Sequence, residues 1–159
     1  MKALTVWQPW TTLIVEGGKP YEFRHWNYAS RFASLVDQRI AIHAGSRAMR
    51  LDEVKDIIER VDDGLSALVT EIARPILDKI LAAHSALRQS ILPHSAVIGT
   101  AIIRRPEKPY DLFKHKVSDS DRYDHTIWAW PLTDIVRFDE PIHYRGAQGF
   151  WNFPDGLLP

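Results

Sequence analysis

The chain has 159 residues, 20 basic against 20 acidic side chains for a formal net charge of zero, no cysteine, and 11% aromatics with six tryptophans among them. That is enough length for one compact domain with its own core, and it excludes a disulfide scaffold, a cysteine nucleophile, a thiolate metal site and a protein that coats duplex nucleic acid through bulk positive charge. No stretch approaches the roughly 18 to 20 apolar residues of a membrane span, and Lys2 is followed by a short mixed segment, not a signal-peptide pattern, so a soluble, cytoplasmic protein is the expectation.

The charges are unevenly spread. Residues 1–50 hold seven Lys/Arg against three Asp/Glu, whereas residues 51–80 hold four against eight. In chain order, ALTVW (residues 3–7) alternates strand formers and predicts a short strand. Pro9 then opens a helix over 9–16, with Trp10, Leu13 and Ile14 on one buried stripe and Gly17-Gly18 as its stop. After the glycines the period becomes 2. Tyr21 and Phe23 share one face of a strand, Glu22 and Arg24 the other, and Lys19 stands at its entry. The expectation is that the aromatics turn to the core and the charges away from it. SRFASLV predicts a helical turn or loop, and QRIAIHAG (38–45) a buried strand with Ile40 and Ile42 inward.

Residues 50–90 differ in character. LDEVKDIIERV and SALVTEIARPILDKILAAHSALRQS carry apolar residues at helical spacing, and Pro75 is expected to kink or divide the second. This acidic block predicts a helical insertion packed against a β domain. Strands return with AVIGTAIIRR, HTIWAWPL (125–132) and DIVRF (134–138). Asp139-Glu140-Pro141 reads as a turn, IHYR as an extended run, and QGFWNFPDG closes the chain. Between strands, PEKPYDLFKHKVSDSDRYD is polar and proline-punctuated, which predicts a long loop of the kind that binds ligands or covers them. The order β-α-β-β, helical insert, β-β-β fits an α+β fold: a small, partly closed mixed β-barrel with peripheral helices, in a single domain over 1–159.

On one strand face, Glu22 and Arg24 at i, i+2 are able to pair, which orients the guanidinium. A guanidinium presents a planar fork of donors suited to phosphate or a base edge. Lys19 adds a point charge or, if buried, a base of lowered pKa, so that Lys19 and Glu22 are candidates for proton transfer. A structural ion pair at the barrel mouth, a ligand site and a catalytic site all remain open on these residues. Trp7, Trp10 and Trp151 read as core. Trp26 borders the charged strand, and Trp128 and Trp130 share a face that serves equally as a stacking platform for an unpaired base or as packing, with burial favoured for at least one. His43 stands at a strand end and is followed by Ser46 and Arg47, where the Gly45 turn admits close approach of a ligand. No His or carboxylate cluster has metal-ligand spacing, and P-loop, Gly-x-Gly-x-x-Gly and Gly-x-Ser-x-Gly patterns are missing, so neither metal nor cofactor is expected.

Three segments together, ALTVWQPW, GGKPYEFRHW and YRGAQGFWNFP, resemble the opening, signature and closing segments of ASCH domains, whose pseudo-barrel is PUA-like. The signature Gly-x-Lys-x-x-Glu-x-Arg is matched by Gly17, Lys19, Glu22 and Arg24, and the closing segment by Gly146, Gln148, Gly149, Trp151 and Asn152. The resemblance implies RNA-related roles: nucleic-acid binding, nuclease activity in some members, and removal of the acetyl group from N4-acetylcytidine in others. Those amide hydrolases have threonine where Glu22 stands, so their nucleophile is not available here. With the resemblance, Gln8 joins Lys19, Glu22, Arg24, Trp26, His43, Ser46, Arg47 and Trp128 as candidate ligand contacts. The leading expectation is a module binding single-stranded RNA or a modified nucleotide. The alternatives are a hydrolase of a nucleobase amide or RNA phosphodiester using Lys19 and Glu22, and an interaction module whose acidic helical insert docks a protein.

Overall fold

A computed structural model of the chain describes residues 1–25, 32–87, 90–113 and 127–159. Six strands form one mixed sheet: β1 (Lys2–Val6), β2 (Tyr21–Arg24), β3 (Gln38–Ala44), β4 (Ala96–Ile103), β5 (Trp128–His143) and β6 (Phe150–Asn152), in the spatial order β2-β5-β4-β3-β1-β6. Only β1 and β3 are parallel, with Leu4 beside Ile42; the other pairs are antiparallel. The sheet curls into an open barrel around Leu4, Ile14, Ile40, Ile42, Ile103 and Trp130. This is the α+β architecture that the order of elements predicts.

Helix α1 (Trp10–Val15) seals one side, and its short stripe serves two cores. Ile14 packs into the barrel, Leu13 packs against the helical insertion, and Trp10 touches both. Its stop is as the glycines predict. Gly17 sits at φ +80° and donates to the Ile14 carbonyl at 2.9 Å, and the Lys19 amide donates to the Leu13 carbonyl at 2.9 Å. That last bond fixes where Lys19 leaves the helix.

The insertion folds as α2 (Leu51–Asp62) and α3 (Thr70–Leu87). Val54, Ile57 and Val61 on α2 meet Ala73, Leu77 and Ile80 on α3 over Leu13. Pro75 does not divide α3. It lies in the second turn, where only the Glu71 carbonyl loses an intrahelical donor. A side chain at Gly18 would come within 3.3 Å of the Ala73 backbone, so this glycine is what lets α3 approach the strand entry. The Val69 amide donates to the Gly18 carbonyl at 2.9 Å and ties the insertion down at the same place.

Strand β5 corrects two sequence expectations. WAWPL and DIVRF lie in one strand, and Asp139-Glu140-Pro141 is not a turn that ends it. The breaks in the pattern are bulges. Between the pairs Val97–Ile142 and Gly99–Arg137, β4 advances two residues and β5 five, so Pro141 falls where no ladder bond is made. Between Thr100–Val136 and Ile102–Thr133, β5 has one extra residue, absorbed near Asp134 at φ +47°. Arg39 braces this bulge by donating to the Asp134 carbonyl at 3.1 Å and pairing with its carboxylate. In the predicted long loop, Pro109–Phe113 forms a short helix, α4, and residues 114–126 lie outside the described residues.

Candidate functional site

The sense of β2 is the reverse of the sequence expectation. Glu22 is buried, while Tyr21 and Phe23 are half-buried and pack on the Phe113 ring at centroid distances of 5.4 and 6.0 Å. The cause is the partner strand. Glu22 pairs with the fully buried Trp130, and Arg24 with Trp128, so the charged face looks into the barrel and the aromatic face takes α4 as its cover.

The three charges form a chain. Lys19 Nζ donates to Glu22 Oε2 at 2.5 Å and to the Tyr21 carbonyl. Arg24 Nε lies 2.9 Å from Glu22 Oε1, an ionic contact off the hydrogen-bond direction. Arg24 Nη2 donates to the Thr5 carbonyl at 3.0 Å, linking β2 to β1 across the mouth. The Lys19 and Glu22 side chains are 8% and 7% exposed, against 30% for Arg24. Burial pushes the Lys19 amine below the usual lysine range; the Glu22 carboxylate opposes that shift and the Arg24 charge adds to it.

These groups open onto a cleft of about 1380 Å³ between the barrel mouth, α2 and the 145–149 segment. Its lining is electropositive. Among the described residues, Lys19, Arg24, Arg60, Lys108 and Arg145 face one carboxylate, Glu22, so a chain of zero net charge concentrates five cations against one anion here. Arg60 and Arg145 have no ion-pair partner among the described residues. Lys108 rests on the Trp128 ring, 4.1 Å from its centroid.

Opposite the trio, Thr5 holds the far wall. Its hydroxyl donates to the Ala147 carbonyl at 2.6 Å and accepts from Trp151 Nε1 at 3.0 Å, while its amide donates to the Gly149 carbonyl at 3.2 Å. His43 is buried, with Nδ1 3.1 Å from that hydroxyl and Nε2 3.0 Å from the Tyr144 carbonyl. A carbonyl only accepts, so Nε2 carries the proton. Burial lowers the His43 pKa, partly offset by the Tyr144 bond. Gly146 lies flat on the imidazole: a Cβ there would sit 2.3 Å from Cε1.

Of the sequence candidates, Lys19, Glu22, Arg24, His43 and Ser46 line the cleft together. Gln8 is placed elsewhere: its Nε2 donates to the Pro93 carbonyl at 2.9 Å and its Oε1 accepts from the Thr12 amide and hydroxyl, so it anchors α1. Trp128 is half-buried beneath Lys108, outside the lining, and Trp130 is core. Arg47 reaches the cleft only by lying on the ring of Trp7 and pairs with Glu53. Trp7 itself is not core, as its segment predicts, but 52% exposed. Trp26 lies outside the described residues. Sequence reading missed Arg60, Lys108 and Arg145. Lys108 at least falls in the proline-punctuated loop read as a binding loop, while Arg60 sits in an acidic helix that gives no local sign of it. The acidic insertion, in turn, is partly neutralised by its own pairs, Arg50–Asp52, Arg74–Asp62 and Arg74–Asp78. Among the described residues no cluster of His, Asp or Glu is arranged to hold a metal ion, and no helix is long and apolar enough to cross a membrane.

No protein-family model matches the sequence, and no curated protein does. Solved structures do. The ASCH protein of Zymomonas mobilis aligns over 98% of this chain and 89% of its own, with TM-score 0.50 and 15% identity. A tyrosine-to-phenylalanine mutant of the same protein aligns over 98% and 91%, also with TM-score 0.50 and 15% identity. At that identity the likeness is one of architecture: the chain shares the fold of that ASCH protein, here an open barrel of mixed sheet with α2 and α3 between β3 and β4.

Proposed function

We propose that the cleft binds single-stranded RNA or a modified nucleotide. The observation that carries this reading is the concentration, among the described residues, of Lys19, Arg24, Arg60, Lys108 and Arg145 around one carboxylate in a chain without net charge. A cleft lined by one sign focuses the field and favours an anionic ligand. The charge is local, which suits a short unpaired segment or one splayed nucleotide better than a duplex that needs a long basic surface. In this reading the Glu22 carboxylate holds Arg24 in place, so that the guanidinium meets phosphate or a base edge in a set direction. The test is titration of the protein with short single-stranded RNA, cytidine and N4-acetylcytidine. Saturable binding that Arg24→Ala abolishes in a folded variant supports the reading, with a modest salt dependence because few phosphates are neutralised. Retained binding in folded Arg24→Ala removes Arg24 from the site.

One observation favours a second reading, hydrolysis of a nucleobase amide or phosphodiester. Lys19 is buried and burial lowers its pKa, as a general base requires, and the Glu22 carboxylate it touches is a second proton acceptor beside it. Product formed by the wild type and lost in Lys19→Ala, with binding retained, selects this reading; binding without turnover selects the first.

A further inference from the structure

We propose that Trp7 is the platform on which an unpaired base stacks at the mouth of the cleft; this rests on the RNA or nucleotide reading of that cleft. Trp7 is the one aromatic among the large apolar side chains left exposed in the described residues, and it lines the cleft. A tryptophan half in water keeps a large apolar face out of the core, where burial would normally draw it. The ring is nevertheless held. The Arg47 guanidinium lies over it, 4.3 Å from the centroid, and is itself anchored by Glu53 in the first turn of α2. At its edge is Gly45, where a Cβ would fall 2.9 Å from Trp7 Cδ1, so the glycine leaves room for the indole against the backbone.

The position suits a base. Trp7 follows Thr5 by two residues, the Thr5 carbonyl accepts from Arg24, and the indole and the charged trio line the same cleft. A base on the indole lies beside the trio, with its phosphates toward the cationic wall. The guanidinium, indole and base then form a layered stack in which Arg47 supports one face through a cation–π contact. Every base has a π-face, so the stack selects unpaired over paired nucleic acid without choosing a sequence.

The test compares a short oligocytidylate with an abasic ribose-phosphate strand of the same length, by fluorescence anisotropy, with the fold of each variant checked by circular dichroism. Trp7→Ala is expected to weaken oligocytidylate binding by roughly 5- to 150-fold, the range of one base–aromatic stack, and to leave the abasic strand unchanged. Gly45→Ala pushes the ring aside without altering any charge and is expected to act in the same sense. Trp7→Phe is expected to keep part of the affinity, and with Gly45→Ala carries the test should Trp7→Ala not fold. Equal loss on both strands, or no loss on either, overturns the stacking role. Wild-type protein that binds both strands equally well keeps the anionic cleft but removes the stack. Binding to neither strand overturns the RNA reading and the platform with it.

Discussion

Replacing Glu22 by glutamine removes one negative charge from the centre of the Lys19–Glu22–Arg24 chain with almost no change of shape. Both Lys19 and Glu22 are under 10% exposed and 2.5 Å apart, so the ammonium left behind is buried without a counter-charge. Breaking a buried pair from one side costs about 3–5 kcal/mol. Arg24 is 30% exposed and partly hydrated, so its share is discounted. Lys19 also has an escape. Its pKa is already lowered by burial and is held up by Glu22, so in Glu22→Gln it falls further and the amine sheds its proton sooner. The expected loss is therefore near the lower bound, about 3 kcal/mol at neutral pH. Because a neutral amine needs no counter-charge, the deficit relative to wild type shrinks as pH rises toward about 10.4, the unfolded lysine value. Urea unfolding of both proteins at pH of about 7 and about 9.5 measures it. A loss below about 1 kcal/mol at neutral pH, the size of a surface pair, or a deficit that grows with pH refutes the reasoning. The double replacement Lys19→Met with Glu22→Leu is expected to be at least as stable as Glu22→Gln and close to wild type, since an apolar pair commonly replaces a buried ionic one without loss. It should no longer bind RNA, which separates what the trio does for the fold from what it does for a ligand.

His43 is buried and its pKa is lowered, so as pH falls through about 6.5 the unfolded chain takes up its proton before the folded one. Stability should drop below that pH with a contribution of at most about 1.4 kcal/mol per pH unit, and the slope should lessen in His43→Gln; identical urea midpoints in the two proteins at both ends of the range count against it. Gly146→Ala places a methyl 2.3 Å from the imidazole and should lift the 145–149 segment from the cleft wall, lowering stability by about 1–3 kcal/mol and weakening ligand binding. Unchanged thermal unfolding and unchanged affinity in that variant mean the segment is not held by this contact.

The sequence by itself determined what depends on neighbours along the chain. Gly17-Gly18 stop a helix because one of them adopts positive φ, the stripe of Leu13 and Ile14 is buried because it recurs at helical spacing, and the charges of β2 share a face because strands have period 2. Period 2 says which residues share a face but not which face turns inward. The pairing of β2 with β5 decided that by setting Glu22 against Trp130 and leaving Tyr21 and Phe23 to α4. Bulges likewise look like turns in sequence, since proline and Asp134 interrupt the local pattern while the ladder on either side of them continues. The cleft was the least legible part. Its cations come from β2 and the turn before it, α2, the segment before α4 and the segment after β5, and only folding brings Arg60, Lys108 and Arg145 to Lys19 and Arg24. Trp7 reads as core from its own segment because alternation reports a strand, whereas its exposure is set by Arg47, Gly45 and the empty space of the cleft beside it.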